Sequence, residues 1–121
     1  MDKNLKNNLI KLNKFFLDMT ILSKEQGFFR FAYQSRAHWM IICLIGSKHD
    51  FGISFEEICS SIDSRLTSRS TIQNILDNGH SINFFIKNKS KKDKRIQLYY
   101  LSENSLKEVI GWINRQEEIF S

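Results

Sequence analysis

Proline is absent from this chain, and only five of its 121 residues are glycine. A fold made of many tight turns needs both, so their scarcity argues against a turn-rich β architecture and favours helices. Cysteine is scarce too. Cys43 and Cys59 stand far apart, with no CxxC pair and no histidine at ligand spacing. That excludes a disulfide scaffold and a zinc site. Both lie among apolar neighbours and read as small core residues ahead of redox sensors. The apolar run Met40–Ile45 is too short to cross a bilayer. The polar N-terminus lacks the apolar stretch of a signal peptide, so a cytoplasmic location and no membrane partner are expected. A Gly-rich phosphate loop, a metal-ligand cluster and a nucleophile–base pair at informative spacing are all missing. The chain does not read as an enzyme: no catalytic residue, cofactor or metal is expected.

What is present starts with charge. At this length the chain is one domain with a modest core. The formal charge is +5. The distribution says more than the total, because Lys87–Arg95 holds six basic residues against one aspartate. A basic cluster of this kind is the electrostatic footprint of a polyanion binder.

Upstream of that cluster, Thr67 or Ser68 can cap a helix running to about Ser81. Ile72, Ile75, Leu76 and Gly79 share one face of it. Arg69, Ser70, Gln73 and Asn74 share the other. Amides read adenine and arginine reads guanine, so this polar face suits base edges in a major groove. Thr71 and Asn78 fall nearer the phosphates. Phe84-Phe85-Ile86 and then Ile96-Gln97-Leu98 with Tyr99-Tyr100-Leu101 suit two strands of a hairpin. Lys87–Arg95 forms the loop between them. The plainer reading is an amphipathic helix followed by a solvated charged loop.

The flanking segments are helical. Asp2–Ser23 carries Leu5, Leu9, Leu12, Phe16 and Met19 in a heptad seam, with Lys3, Lys6, Asn7, Lys11, Lys14 and Asp18 opposite. So narrow a stripe needs a partner, either the chain's own core or a second copy. Phe28, Phe29, Phe31 and Tyr33 either pack a junction or wall a ligand pocket near Arg30 and Arg36. Ser35 caps Arg36–Ser47, apolar nearly all round and therefore a central post. Gly52-Ile53 begins a short strand. Ser54 and Glu57 form a capping box, with Ile53 and Ile58 as its hydrophobic staple, for a helix to about Ile62. Phe55, Ile58, Cys59 and Ile62 face inward there. Leu106–Phe120 is a last helix, with Leu106, Val109, Ile110, Ile113 and Phe120 on one side and Lys107, Glu108, Asn114, Arg115 and Glu118 on the other.

Ser68-Arg69-Ser70-Thr71-Ile72, Ile75-Leu76-Asp77, Phe84-Phe85-Ile86-Lys87, Asp93-Lys94-Arg95 and Leu101-Ser102-Glu103 together resemble the MarR-type winged helix-turn-helix regulators over roughly residues 35–105. The Asp-x-Arg of the wing is the most specific piece. Two positions depart from the pattern: the turn Asp63–Thr67 is long, and Asn83 stands where glycine is usual. The resemblance implies a mainly α fold with a small β-hairpin wing, flanked by N- and C-terminal dimerisation helices. Residues 1–34, 35–104 and 105–121 would be its three parts. It implies a homodimeric regulator of double-stranded DNA, paired through Leu5, Leu9, Leu12, Phe16 and Met19 and through Leu106, Ile110, Ile113 and Phe120. The expected DNA contacts are Ser68, Arg69, Ser70, Thr71, Gln73, Asn74 and Asn78 on the helix. On the wing they are Lys87, Lys89, Lys91, Lys92, Asp93, Lys94 and Arg95. Asp93 and Arg95, alternating on one face of a strand, would pair and present Arg95 to a minor groove. No residue selects a small-molecule effector. The alternative is a winged-helix module that binds protein instead of DNA.

Overall fold

An oxygen-bearing side chain precedes every long helix and satisfies the N–H groups that a helix start leaves open. In the computed structural model, which describes residues 2–121, Asp2 caps α1 (Lys3–Lys24). A short helix α2 (Phe28–Ala32) follows Gly27. Ser35 then caps α3 (Arg36–Ser47) by accepting the His38 N–H. Ser54 and Glu57 make the expected capping box at the start of α4 (Phe55–Ser61). Of the two candidate caps before the next helix, it is Ser68 that accepts the Thr71 N–H and starts α5 (Arg69–Ser81). Ser102 caps α6 (Glu103–Phe120) and accepts the Ser105 N–H, so this helix begins three residues before the expected Leu106.

A small antiparallel sheet of three strands completes the fold. It consists of β1 (Ile53–Ser54), β2 (Phe85–Lys89) and β3 (Gln97–Leu101), in the order β1-β3-β2. Ile53 pairs with Tyr99, and Phe85 pairs with Leu101. The hairpin is therefore not free-standing; β1 ties its second strand to the front of α4. Asn83 turns the chain from α5 into β2 at φ 65°, the left-handed conformation asparagine tolerates.

The core gathers Ile41, Ile42 and Ile45 of α3, Ile58 of α4, Ile72, Ile75 and Leu76 of α5, and Phe85 and Leu101 of the sheet. Helix α3 is the expected post. It packs on α2, α5 and β3, and Trp39 meets Trp112 of α6 at 4.9 Å between ring centroids. Phe28, Phe29 and Phe31 are buried in this core, which fits the junction reading of those aromatics. Gly79 has a steric reason: a Cβ there would overlap the Phe85 ring.

Two expectations need correction. Cys43 is exposed and is not a core residue; α3 offers that flank to the surface. Cys59 is half-buried and packs against the core, as expected. Surrounding apolar groups push both thiols above the ordinary value, which disfavours reactive thiolates. Asp18 accepts from Arg115 Nε at 3.1 Å and Gln116 Nε2 at 2.9 Å, so the face of α1 that meets α6 is partly polar. Leu106 packs on the chain's own core and is not open to a second copy. As expected, α4 ends at Ile62, which caps it in extended conformation and is buried.

Candidate nucleic-acid interface

Helix α5 buries Ile72, Ile75, Leu76 and Gly79 and turns its other side outward. Ser68, Arg69, Ser70, Thr71, Asn74 and Asn78 are exposed, and Gln73 is half-buried. The amphipathic pattern thus leaves the amide-bearing face open.

Several of these side chains are already engaged: the hydroxyls of Ser70 and Thr71 bond to that of Ser68, and Arg69 and Gln73 have carboxylate partners. Arg69 donates from Nη2 to Glu56 Oε1 at 2.6 Å and from Nη1 to Oε2 at 3.1 Å. Its guanidinium lies 4.9 Å from the centroid of the Phe55 ring. The fork holds the Glu56 carboxyl below the ordinary carboxylate range. Gln73 Nε2 donates to Asp77 Oδ1 at 2.9 Å. Asn74 is exposed and has no such tether.

The wing differs from expectation in where its strand ends. Lys87 and Lys89 belong to β2, and the tip is only Ser90–Ile96. Consequently Asp93 and Arg95 sit in a turn, not on a strand face. Their ion pair forms all the same. Asp93 Oδ1 accepts the Arg95 backbone N–H at 3.0 Å and Nε at 3.1 Å, and Oδ2 accepts Nη2 at 3.0 Å. A turn does what strand alternation cannot: it brings the backbone N–H and the guanidinium to one carboxylate. Arg95 still stands 90% exposed. The tip is ordered by its own hydrogen bonds, with Ser90 N–H donating to Ile96 O and Ser90 Oγ accepting from Lys92 and Asp93. Lys89, Lys91, Lys92 and Lys94 are exposed on it, and Lys87 is half-buried.

Helix and wing frame one open cleft of 440 Å³. Gln73 of α5, Glu56 at the start of α4, Lys87 of β2 and Arg95 of the tip all line it. One base-reading candidate, Gln73, and two wing cations, Lys87 and Arg95, therefore border a common concave surface. Sequence reasoning missed Glu56, Phe55 and Asp77 as neighbours of this site. Glu56 lies 13 residues from Arg69, and no periodicity links positions across a helix-turn-helix.

No family model matches the chain, and neither does any curated protein sequence. Solved structures do match. An S. aureus MepR–DNA complex superposes with a TM-score of 0.63 at 13% identity, covering 89% of this chain and 83% of that one. The heme sensor protein PefR from Streptococcus agalactiae, in complex with heme, gives 0.55 at 19% identity over 99% of this chain and 74% of that one. The adhesin competence repressor AdcR from Streptococcus pyogenes gives 0.52 at 11% identity over 91% and 76%. The fold is the winged helix that these structures share. At such identities the likeness carries the architecture and not the residues of the site. Within this winged helix, α4 and α5 are the helix-turn-helix and the β2–β3 hairpin is the wing. Among the described residues, no helix is long and apolar enough to cross a membrane.

Proposed function

We propose that this chain is a sequence-specific double-stranded DNA-binding protein and a transcriptional regulator. One observation carries the reading. Gln73 of α5 lines the same cleft as Lys87 and Arg95 of the wing, and the rest of the α5 polar face and of the wing cations is exposed to solvent. Helix α5 enters the major groove, with Arg69, Ser70, Gln73 and Asn74 at base edges and Ser68, Thr71 and Asn78 near phosphates. The wing follows the adjacent minor groove, where Asp93 holds Arg95 towards a narrow A·T-rich flank. Lys87, Lys89, Lys91, Lys92 and Lys94 meet phosphates and set affinity more than sequence choice. None of these steps makes or breaks a bond; the chain acts by binding, without a cofactor, in the cytoplasm.

The working unit is a homodimer. Leu5, Leu9, Leu12, Phe16 and Met19 of α1 are all exposed, as are Ile110, Ile113 and Phe120 of α6. Ile10, Leu17 and Ile21 are exposed as well, on a second strip of α1. The two helices lie together, with Phe15 and Phe120 in edge contact at 5.6 Å. A contiguous apolar surface of that extent calls for cover, and a second copy presents the same surface in return.

Selection of bound sequences from a random duplex pool tests the reading. The expected result is a pseudo-palindrome with half-sites about 10 bp apart, bound with a steep loss of affinity as salt rises. No enrichment, and no duplex affinity at low salt, would instead make the cleft a protein-binding surface.

A further inference from the structure

The wing-tip turn occurs twice in this molecule. Asp63-Ser64-Arg65-Leu66, between α4 and α5, repeats Asp93-Lys94-Arg95-Ile96 in sequence and in hydrogen bonding. In the first copy Asp63 Oδ1 accepts the Arg65 backbone N–H at 2.9 Å and Nε at 3.1 Å, and Oδ2 accepts Nη2 at 2.7 Å. The backbone closes in the same way: Leu66 N–H donates to Asp63 O at 2.8 Å, and Ile96 N–H donates to Asp93 O at 3.0 Å. Even the aliphatic side chain that follows is equally exposed, 42% for Leu66 and 41% for Ile96. Arg65 stands 87% exposed, as Arg95 stands 90%.

Stability does not account for a pair this exposed, because a solvated ion pair contributes little. What the turn does is hold a guanidinium still. The carboxylate takes Nε and Nη2 and leaves Nη1 and the outer Nη2 proton pointing to solvent. A phosphate can then be met with little side-chain entropy left to lose.

Position supplies the rest. The turn runs directly into Ser68, the cap of the recognition helix. Leu66, Thr67, Ser68 and Thr71 line a hollow of 470 Å³ with Ser35 and Arg36 of α3. Gln73 and Arg95 line a different cleft, so this hollow lies on another flank of α5. Hydroxyls and a second arginine suit a phosphodiester there.

We infer that Arg65 is a DNA-backbone contact: a second carboxylate-clamped arginine that meets a phosphate on the flank of the recognition helix away from the wing. This rests on the DNA-binding reading above. It also explains the length of the turn, since a tight helix–helix connection has no room for the Asp-x-Arg module.

The test compares wild type with Arg65→Ala, Arg65→Lys and Arg95→Ala on the selected duplex and on unrelated duplexes across a salt series. Arg65→Ala is expected to weaken all duplexes alike, by about tenfold, and to flatten the salt dependence by about one phosphate contact. Arg65→Lys should restore the salt slope and part of the affinity, since it keeps the charge but not the fork. The melting temperature should stay at the wild-type value. Unchanged affinity and slope in Arg65→Ala, while Arg95→Ala weakens binding, overturns the assignment and leaves the DNA reading standing. A large fall in melting temperature makes Arg65 a folding residue and overturns it as well. If wild type and all variants lack duplex affinity, the DNA reading fails and this inference with it.

Discussion

Phe16→Ser is the sharpest perturbation of the proposed dimer. Phe16 lies mid-stripe on α1 and is 59% exposed in the single chain. Full burial of a phenylalanine contributes about 1.5–3 kcal/mol, so covering the remaining exposed part contributes roughly 1–2 kcal/mol. A symmetric pair counts the residue once per copy, which gives about 2–4 kcal/mol per dimer. Every 1.4 kcal/mol is tenfold, so the dissociation constant should rise by roughly 30- to 700-fold. Sedimentation equilibrium over a wide concentration range measures this directly. Phe51→Ser is the control, because Phe51 is even more exposed, at 78%, but sits in the loop before β1 and off the stripe. It should leave association unchanged. Equal effects of the two variants, or a wild-type chain that stays monomeric at micromolar concentration, would refute the reasoning.

Other expectations follow from contacts already described. Gly79→Ala gains up to about 1 kcal/mol of helix propensity, but the new methyl drives against the Phe85 ring, and overpacking costs about 1–3 kcal/mol. Thermal melting should fall by several degrees, and a raised melting temperature would mean that Phe85 moves aside freely. Arg95→Ala should weaken binding to A·T-flanked sites by roughly ten- to a hundredfold; unchanged affinity at moderate salt removes the wing from the interface. Gln73→Ala and Asn74→Ala should relax sequence choice more than total affinity, and a uniform loss on all duplexes would make them backbone contacts instead. Glu56→Gln releases Arg69 from its carboxylate and removes a negative charge from the cleft, so duplex binding should tighten by about two- to fivefold. Weaker binding would make Glu56 a brace for Arg69 in the complex.

Local chemistry was legible in the sequence, and distant partnership was not. Ser35, Ser54 with Glu57, and the choice between Thr67 and Ser68 located helix starts to within a residue, because a cap bonds only to its own first turn. The outward face of α5 was legible for the same reason: period 3.6 fixes which side chains share a side. The partners of Asp18 were not legible because they lie on α6; Asp18 and Arg115 are 97 residues apart. Cys43 looked buried because its sequence neighbours are apolar. Its exposure follows from the direction α3 faces, which sequence does not state. The Asp93–Arg95 pair was right in its partners and wrong in its geometry. A residue two positions on is reached by strand alternation and by a carboxylate turn alike, and only the turn also captures the backbone N–H.

The two surfaces argued for here are mechanically joined. Helix α6 shares its length with α1 through Asp18–Arg115 and Phe15–Phe120. On its inner side, Trp112 meets Trp39 of α3 and donates to Tyr33 OH at 3.3 Å. Helix α3 in turn packs on α5. A close-packed path therefore runs from the exposed apolar face to the base of the recognition helix. Close-packed contacts transmit displacement because they do not compress. In a dimer paired through α1 and α6, the crossing angle of those helices then fixes the distance between the two recognition helices. A change confined to the Trp39–Trp112 contact would reach the half-site spacing without touching a single DNA-facing side chain.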